Sequence, residues 1–419
     1  MRPLNVFLLA IGLHMGALAI REGPEVYTEN LRAGVTLVEK GYLGDPFILP
    51  TGPTGHLSPV YPIVAAAAYG VTGDVDDMRT VLEVVCAIVA SIAAALLVPL
   101  ARALRLPAGS GALAGLFWSV PLFAMVELSA EHETVFSVAA VVVVLTVASR
   151  VLRTTIRTRD GAVLGAATGV GAHFTPLILP MMLLGLGASL LVRRTRVRVR
   201  PGFVLAFALA LCAVVTPYTV RNWQVMGAPF FIRDNFGLEI AVSNADNAKP
   251  TAEENIEQTA AMATHPFKSR AAALQVREMG EVAYNRSRLR EGLTWIRTHP
   301  SQFLELTLVR TGFLIVPASH RLAQRVASLL MAMGFLASLI VLWRSGHRGT
   351  AALLAGAVAG YDFMYPFVQH DVRYVYPMLR VQSLGAASVA VPLLARLAAW
   401  KLDDVPEGSR EPSPRGVPA

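Results

Sequence analysis

Charged residues are scarce in this sequence. Asp, Glu, Lys and Arg make up 16% of its 419 residues, whereas an average soluble domain carries about 25%. Apolar residues make up 54%, and the mean hydropathy is +0.51. A soluble chain of this length needs more polar surface than this composition supplies. The shortage of charge therefore excludes a soluble globular enzyme and a disordered chain, and it favours a polytopic membrane protein.

Cysteine is scarcer still, since the chain has only Cys86 and Cys212. Both lie inside apolar runs, so neither predicts a disulfide or a metal site. The sequence also has no P-loop, no HExxH, no GxSxG and no GxGxxG after a strand pattern. Composition and these missing motifs leave both a transporter and a membrane enzyme open.

Positive charge is in excess, with 37 basic and 29 acidic residues and a net charge of +8. The arginines cluster between apolar runs, most densely over 193–200, which is typical of cytoplasmic loops and does not indicate a nucleic-acid site. This pattern predicts about ten spans in an inner or plasma membrane, with both termini cytoplasmic. The predicted spans are 4–20, 79–104, 108–128, 134–150, 161–174, 176–192, 203–220, 326–343, 350–366 and 378–397.

Two of these spans carry a further local signal. In the fifth, Gly165 and Gly169 have the G-x-x-x-G spacing, which predicts the close approach of another helix. The first, which contains the A-x-A pattern at 17–19, also fits a cleaved signal peptide. In both interpretations the residues after Ile20 lie outside.

Two polar segments separate the spans on the predicted outer side. The first is the loop 21–78, in which we expect an interfacial helix that begins near Pro59. The second, 221–300, has apolar residues at helical spacing over 272–296. This spacing predicts an amphipathic helix that ends before Pro300.

The chain is thereby divided into four regions. The apolar run 303–317, which Glu305 and Arg310 interrupt, is treated as interfacial, because counting it as a span would put Arg344 and Arg348 outside, against the charge rule. The proline-rich end predicts a disordered tail. The regions are an N-terminal transmembrane region (1–220), an outer polar segment (221–300), a C-terminal transmembrane region (301–397) and a cytoplasmic tail (398–419).

Acidic residues gather in the outer segments, close to the ends of spans. Glu25 is placed to deprotonate an acceptor hydroxyl, although an acid directly after Pro24 is also a common start of a helix. Glu131 and Glu133 flank His132, which fits either metal ligation or the N-terminal cap of the fourth span.

The last outer segment contains His370, Arg373 and Tyr374. An arginine at the outer face pairs with phosphate oxygens in bidentate fashion. An arginine that snorkels beside a tyrosine of the aromatic belt explains the same pattern.

Four sets of stretches, taken in chain order, form a recognisable pattern. They are 24–27 with 37–41, 58–62 with 69–73, 221–227 with 233–239 and 243–244, and 295–300 with Arg373, Tyr374 and Pro377. Together they resemble the GT-C superfamily of integral-membrane glycosyltransferases, which use polyprenyl-phosphate sugars and include relatives of protein O-mannosyltransferases and lipid A aminoarabinose transferases. The resemblance covers roughly residues 5–395 and is most specific after the seventh span.

The resemblance implies an all-α, GT-C-like bundle of about ten transmembrane helices with interfacial helices in the first outer loop. It also implies an inverting transfer from a polyprenyl-phosphate sugar to a lipid, glycan or protein acceptor, with Glu25 as the base. Many members have Asp-Glu where this chain has Pro24 and Glu25, so Glu22 competes for that role.

The resemblance further implies that Arg373, with Tyr374 and His370, meets the donor phosphate. Further polar candidates are Glu131, His132, Glu133, His56 and Tyr61. A divalent cation fits this chemistry, although no metal site is clearly encoded, and membrane lipids are the other expected partners. The alternatives are a transporter or flippase of a lipid-linked substrate, and a non-catalytic binding subunit of the same fold. Related halves, which a transporter typically shows, are not apparent.

Overall fold

The computed structural model of the protein describes residues 1–20, 27–120, 123, 128, 133–152, 156–193, 200–258, 263–319 and 321–403. Within these ranges the regular secondary structure consists of seventeen α-helices and one 3-10 turn, without any strand. This confirms the predicted all-α fold class.

Five helices are long and apolar enough to cross a membrane, so the predicted count of ten spans is not confirmed. The remaining apolar helices have 10 to 17 residues, which is short for a full crossing. The five long helices are α4 (Val75–Leu104), α6 (Thr134–Val151), α9 (Pro201–Met226), α15 (Leu322–Arg344) and α17 (Val372–Asp403). The shorter ones are α1 (Pro3–Ala19), α3 (Val60–Thr72), α5 (Ser110–Ser119), α7 (Thr158–Ala172), α8 (Ile178–Val192) and α16 (Arg348–Asp362).

The other helices belong to the polar segments or border them. A 3-10 turn at Tyr365–Phe367 follows α16. The helices are α2 (Glu29–Lys40), α10 (Phe236–Ser243), α11 (Ala252–Gln258), α12 (Arg270–Met279), α13 (Glu281–Thr298) and α14 (Pro300–Phe313).

Three predicted boundaries need correction. The third predicted span, 108–128, contains a helix that ends already at Ser119. The last predicted span, 378–397, lies in a helix that begins six residues before the predicted start, at Val372. Arg373 and Tyr374 therefore lie in the first turn of α17. The helix expected over 272–296 is two helices, because Gly280, with φ +84° and ψ 150°, leaves the helical conformation between them.

The predicted stop before Pro300 is confirmed, because α13 ends at Thr298 and α14 begins at the proline. The buried Arg310 explains why a charge interrupts the next apolar run. Its guanidinium donates to the carbonyl oxygen of Ser243 and to the side-chain oxygen of Asn244, 3.3 Å away. Arg310 thus fastens α14 to the end of α10.

Glycines bring two pairs of apolar helices into backbone contact. A Cβ built on Gly165 of α7 would lie 2.2 Å from the carbonyl oxygen of Phe207 in α9. A Cβ on Gly360 of α16 would lie 2.3 Å from the carbonyl oxygen of Pro180 in α8. The close approach expected from the glycine spacing is therefore confirmed, and only glycine fits at these contacts.

The polar segments are joined by a buried carboxylate. Glu281, at the start of α13, is only 6% exposed. It accepts hydrogen bonds from the Thr54 hydroxyl at 2.6 Å and from the Gly55 amide at 2.7 Å. Burial raises the pKa of Glu281. Glu281 therefore ties the residues that precede α3 to a helix more than two hundred positions later in the chain.

Gly165→Ala tests the contact between α7 and α9. We expect it to lower the free energy of unfolding by about 1–3 kcal/mol, because the new methyl group meets a carbonyl oxygen that cannot move aside. Thermal unfolding of the detergent-solubilised protein measures the change. The matched control is Gly187→Ala in α8, where a Cβ meets nothing within 4 Å. Equal stability of the two variants would contradict the contact.

Candidate functional site

A cavity of about 570 Å³ lies where the polar segments meet one end of the membrane helices. Its membrane side is formed by the beginnings of α6, α8 and α17 and by the end of α16. Its polar side is formed by the start of α2, His56, and residues from 231–239 and 252–268. The cavity therefore collects residues from both polar segments and from the last span.

Two histidines and a glutamate form a cluster at this cavity. The nearest carboxylate oxygen of Glu29 lies 3.4 Å from Nε2 of His56 and 4.0 Å from Nε2 of His265. The two imidazole rings are perpendicular, with centroids 5.8 Å apart. One candidate ligand atom from each residue lies within 4.8 Å of the other two.

Each member of this cluster is held by its local structure. Glu29 lies in the first turn of α2, where the helix dipole favours an acid. His56 is 2% exposed, and its carbonyl oxygen accepts from the Arg233 guanidinium at 2.8 Å. His265 lies shortly before α12, and its ring meets that of Phe47 edge to face.

The cluster keeps Glu29 ionised. Burial alone would raise the pKa of this carboxyl, but the His56 imidazole, with smaller contributions from His265 and Arg373, lowers it to about 2. Burial of the His56 ring opposes its protonation. The Glu29 carboxylate outweighs this effect of burial and raises the pKa of His56. Burial lowers the pKa of His265. At neutral pH the site therefore offers a carboxylate and a neutral imidazole.

These residues fit a divalent cation. Two imidazole nitrogens and a carboxylate oxygen are a familiar ligand set for zinc and related metals. The distances of 3.4 and 4.0 Å from Glu29 are near the ~3.3 Å that separates neighbouring ligands around tetrahedral zinc. Moreover, the Glu29 oxygen that faces both imidazoles is buried and accepts no hydrogen bond from the described residues.

Positive charge also lines the cavity, close to this cluster. Arg373 is paired with Asp371, whose carboxylate lies 2.9 Å from its Nε, and the guanidinium lies 5.3 Å from the centre of the Tyr374 ring. Arg233 lies 3.8 Å from the Glu133 carboxylate. Lys268 also lines the cavity. The arrangement provides cationic donors for an anionic group next to a cluster suited to a cation.

Four of the residues predicted from the sequence meet at this cavity. They are His56, Glu133, Arg373 and Tyr374. Glu133 precedes the first turn of α6, and its other carboxylate oxygen accepts from the Asn30 amide at 3.0 Å. Tyr374 is stacked on Tyr365, with ring centroids 4.8 Å apart.

Two other predicted residues lie elsewhere. Tyr61 is 1% exposed and packs against Phe136 in the helix core, at 5.3 Å between ring centroids. The backbone of His370 is bonded to Pro250 and Ala252, and its ring packs on Phe313 at 5.1 Å. Neither side chain lines the cavity. Glu22, Glu25, Glu131 and His132 lie outside the described residues.

Sequence reasoning overlooked Glu29, His265 and Arg233 as site residues. Glu29 follows Thr28 at the start of an amphipathic helix, which explains an acid there without any function. Arg233 begins the stretch 233–239 that carries the resemblance, but it was not predicted as a site residue. For His265, which is 236 positions after Glu29, no local signal marks a partner in the first outer loop.

No protein-family model matches the sequence, and no curated protein sequence matches it. Among solved structures, the chain is similar to a crystal structure of the Archaeoglobus fulgidus oligosaccharyltransferase in complex with Zn and sulfate. The TM-score is 0.48 at 14% sequence identity, over 94% of this chain and 51% of that chain. The chain thus spans about half the length of that protein. A similarity this low carries no information about function.

Direct metal titration tests the cluster. After treatment with a chelator, we expect the protein to bind one equivalent of Zn²⁺ by isothermal titration calorimetry. His265→Ala should weaken binding at least ~10-fold because it removes one of three ligands. Binding should also weaken as the pH falls from about 8 to 6, since His56, whose pKa is raised, must lose its proton to bind.

The control for this titration is His299→Ala, which removes a histidine stacked on Trp295 outside the cavity. The interpretation fails if both variants bind Zn²⁺ as tightly as the unchanged protein.

Proposed function

We propose that this protein is an integral-membrane glycosyltransferase of the GT-C type, which moves a sugar from a polyprenyl-phosphate donor to a lipid, glycan or protein acceptor. The observation that carries the proposal is the cavity itself. It joins the Glu29, His56 and His265 cluster to the cationic side chains of Arg373 and Arg233 at one end of a membrane bundle.

The charges of the cavity suit a lipid-linked phosphate. When the bond between sugar and phosphate breaks, negative charge develops on the departing phosphate, and preorganised cations stabilise it. Arg373 is the principal candidate, with Lys268 as a second cation. A divalent cation at Glu29, His56 and His265 would offset further charge on that phosphate.

Apolar side chains provide a place for the lipid tail. Phe231, Phe236 and Ile256 line the cavity, yet each is more than a third exposed. Exposed apolar side chains at the rim of a polar cavity mark a site for an apolar ligand. A polyprenyl chain satisfies that requirement, and a water-soluble sugar nucleotide does not.

The base for the acceptor is assigned to Glu25, with Glu22 as the competitor. Glu29 is unsuited to this role, since a carboxylate with a pKa of about 2 takes up a proton poorly at neutral pH. Glu25 precedes Glu29 by only four positions, so the chain length keeps their Cα atoms within ~14 Å. Support for Glu25 comes from the resemblance of its surroundings to the GT-C first outer loop.

In the proposed reaction, the acceptor hydroxyl gives its proton to Glu25. Its oxygen bonds to the anomeric carbon as the bond from that carbon to the phosphate oxygen breaks. The electron pair leaves with the phosphate, next to Arg373. Attack from the face opposite the phosphate inverts the configuration.

The cavity is proposed to face the outside of an inner or plasma membrane. Arginine-rich stretches, such as 193–200, follow the helix ends that point away from the cavity. Such clusters mark the cytoplasmic side. With this orientation, both termini are cytoplasmic.

Glu25→Gln tests the base. With purified protein, radiolabelled polyprenyl-phosphate sugars and candidate acceptors, we expect it to reduce transfer at least ~100-fold, because the amide cannot take up the proton. Glu22→Gln should retain transfer, and so should Glu278→Gln, which alters an exposed acid on α12. If Glu22→Gln is the inactive variant, the role belongs to Glu22. Lipid binding without transfer by the unchanged protein would favour a flippase or a non-catalytic subunit.

Arg373→Gln tests the donor side. We expect kcat/KM for the donor to fall about 100-fold, as for the loss of one donor to a developing charge. Arg373→Lys should recover part of this loss, since it retains the charge without the bidentate geometry. Arg288→Gln is the control, because Arg288 pairs with Glu291 on the same helix away from the cavity. An unchanged kcat/KM in Arg373→Gln would remove this residue from the site.

A further inference from the structure

A second cavity, of about 470 Å³, lies at the other end of the helix bundle. Helices α6, α8 and α16 each line the first cavity with one end and the second cavity with the opposite end. The 18 residues of α6 alone separate the two by about 27 Å. The second cavity is thus separate from the candidate site, and the proposed reaction uses none of its residues.

Arginines from three different helices line this cavity. Arg105 follows α4, Arg193 follows α8, and Arg348 begins α16. His347 lies beside them, and no acidic side chain is among the described lining residues. The neighbouring sequence at 153–155 and 194–199 also contains no Asp or Glu. The described lining of the cavity therefore concentrates positive charge and includes no carboxylate.

The three arginines line the same cavity. Burial is the main cause that lowers the pKa of Arg193, and the charge of Arg105 lowers it further. None of the ion pairs among the described residues includes Arg105, Arg193 or Arg348. Like charges held around one space favour an anion between them.

Local structure fixes two of these arginines in place. The Arg193 guanidinium donates to the Leu152 carbonyl oxygen at 2.6 Å and lies directly over Gly349, where a Cβ would meet its Nε. Arg105 has a φ of +60°, in the left-handed region that favours glycine. Arg105 is the C-terminal cap of α4, and its amide is bonded to the carbonyl oxygens of Ala101 and Arg102, which fixes its backbone at the edge of the cavity.

The surroundings of the cavity are those of a lipid headgroup. Its inner wall includes the buried, apolar Leu104, Leu152 and Leu353. Leu191, at the end of α8, is 63% exposed and continues an apolar surface toward the cavity. The Arg348 guanidinium lies 5.6 Å from the centre of the half-exposed Trp343 ring, and tryptophan marks the headgroup level of a bilayer.

We propose that this second cavity binds the phosphate headgroup of an anionic lipid from the leaflet opposite the candidate site. Arg105, Arg193 and Arg348 contact the phosphate, and the acyl chains lie along the apolar side of α8. The shared chemistry is that of a phosphate anion, and the apolar wall favours the lipid over soluble phosphate. Basic pockets between membrane helices bind anionic headgroups in this way.

Lipid titration of the full-length protein in detergent tests the site. We expect phosphatidylglycerol to raise the thermal unfolding temperature and to bind with a measurable Kd by native mass spectrometry, and phosphatidylcholine to do neither. The double variant Arg105→Asn/Arg348→Gln should bind phosphatidylglycerol about fivefold more weakly for each arginine removed. Asparagine is chosen at position 105 because it tolerates a positive φ.

The matched control is Arg150→Gln/Arg344→Gln, which removes two exposed arginines at the same end of the bundle outside the cavity. An equal loss of phosphatidylglycerol binding in this variant would show that general surface charge, and not the cavity, attracts the lipid. That result would overturn the proposal. Equal stabilisation of the unchanged protein by both lipids would overturn it as well.

Inorganic phosphate and glycerol phosphate form the third arm of this experiment. Suppose that these soluble anions stabilise the protein as much as the lipid does, and that the double variant loses this effect. The cavity would then bind an anion, but the lipid would be refuted as the source of that anion. None of these measurements depends on transfer activity, so their outcome is independent of the proposed function.

Discussion

The hydrogen-bonded carboxylate of Glu281 is the contact on which the candidate site depends. It fixes Thr54 and Gly55, and so the His56 that follows directly, against the start of α13. An isolated buried carboxyl would be costly, but two donors at 2.6 and 2.7 Å satisfy it. Because α13 in turn packs on α10, this contact places the first outer loop and residues 231–239 around the same cavity.

Charges of both signs lie close together within the cavity. The His56 imidazole, with His265 and Arg373, lowers the pKa of the Glu29 carboxyl. Arg233 lies 3.8 Å from the Glu133 carboxylate, whereas Asp371, the partner of Arg373, is not among the described lining residues. This placement of charge is more informative about chemistry than the net charge of +8, which comes largely from arginine-rich stretches of the sequence.

Most helices could be predicted from the sequence, because a helix in a bilayer needs a run of apolar residues and polar residues mark both ends of that run. The closeness of Gly165 to its neighbouring helix was also visible, since the glycine spacing carries that information locally. The break at Gly280 was missed because the apolar spacing continues across it, and backbone conformation overrides that pattern. Glu133, Arg373 and Tyr374 were identified because each stands beside the end of a predicted span, and His56 because it is a polar residue of the loop 21–78. Glu29 and His265 were not, since only the folded chain brings residues so distant in sequence within 4.0 Å.

The glycine contacts between α8 and α16 also link the walls of the two cavities. At Gly360 and Pro180 backbone lies against backbone, so no flexible side chain can yield between the two helices. The same two helices line the candidate site at one end and the second cavity at the other. A larger side chain at this contact would therefore displace the walls of both cavities together.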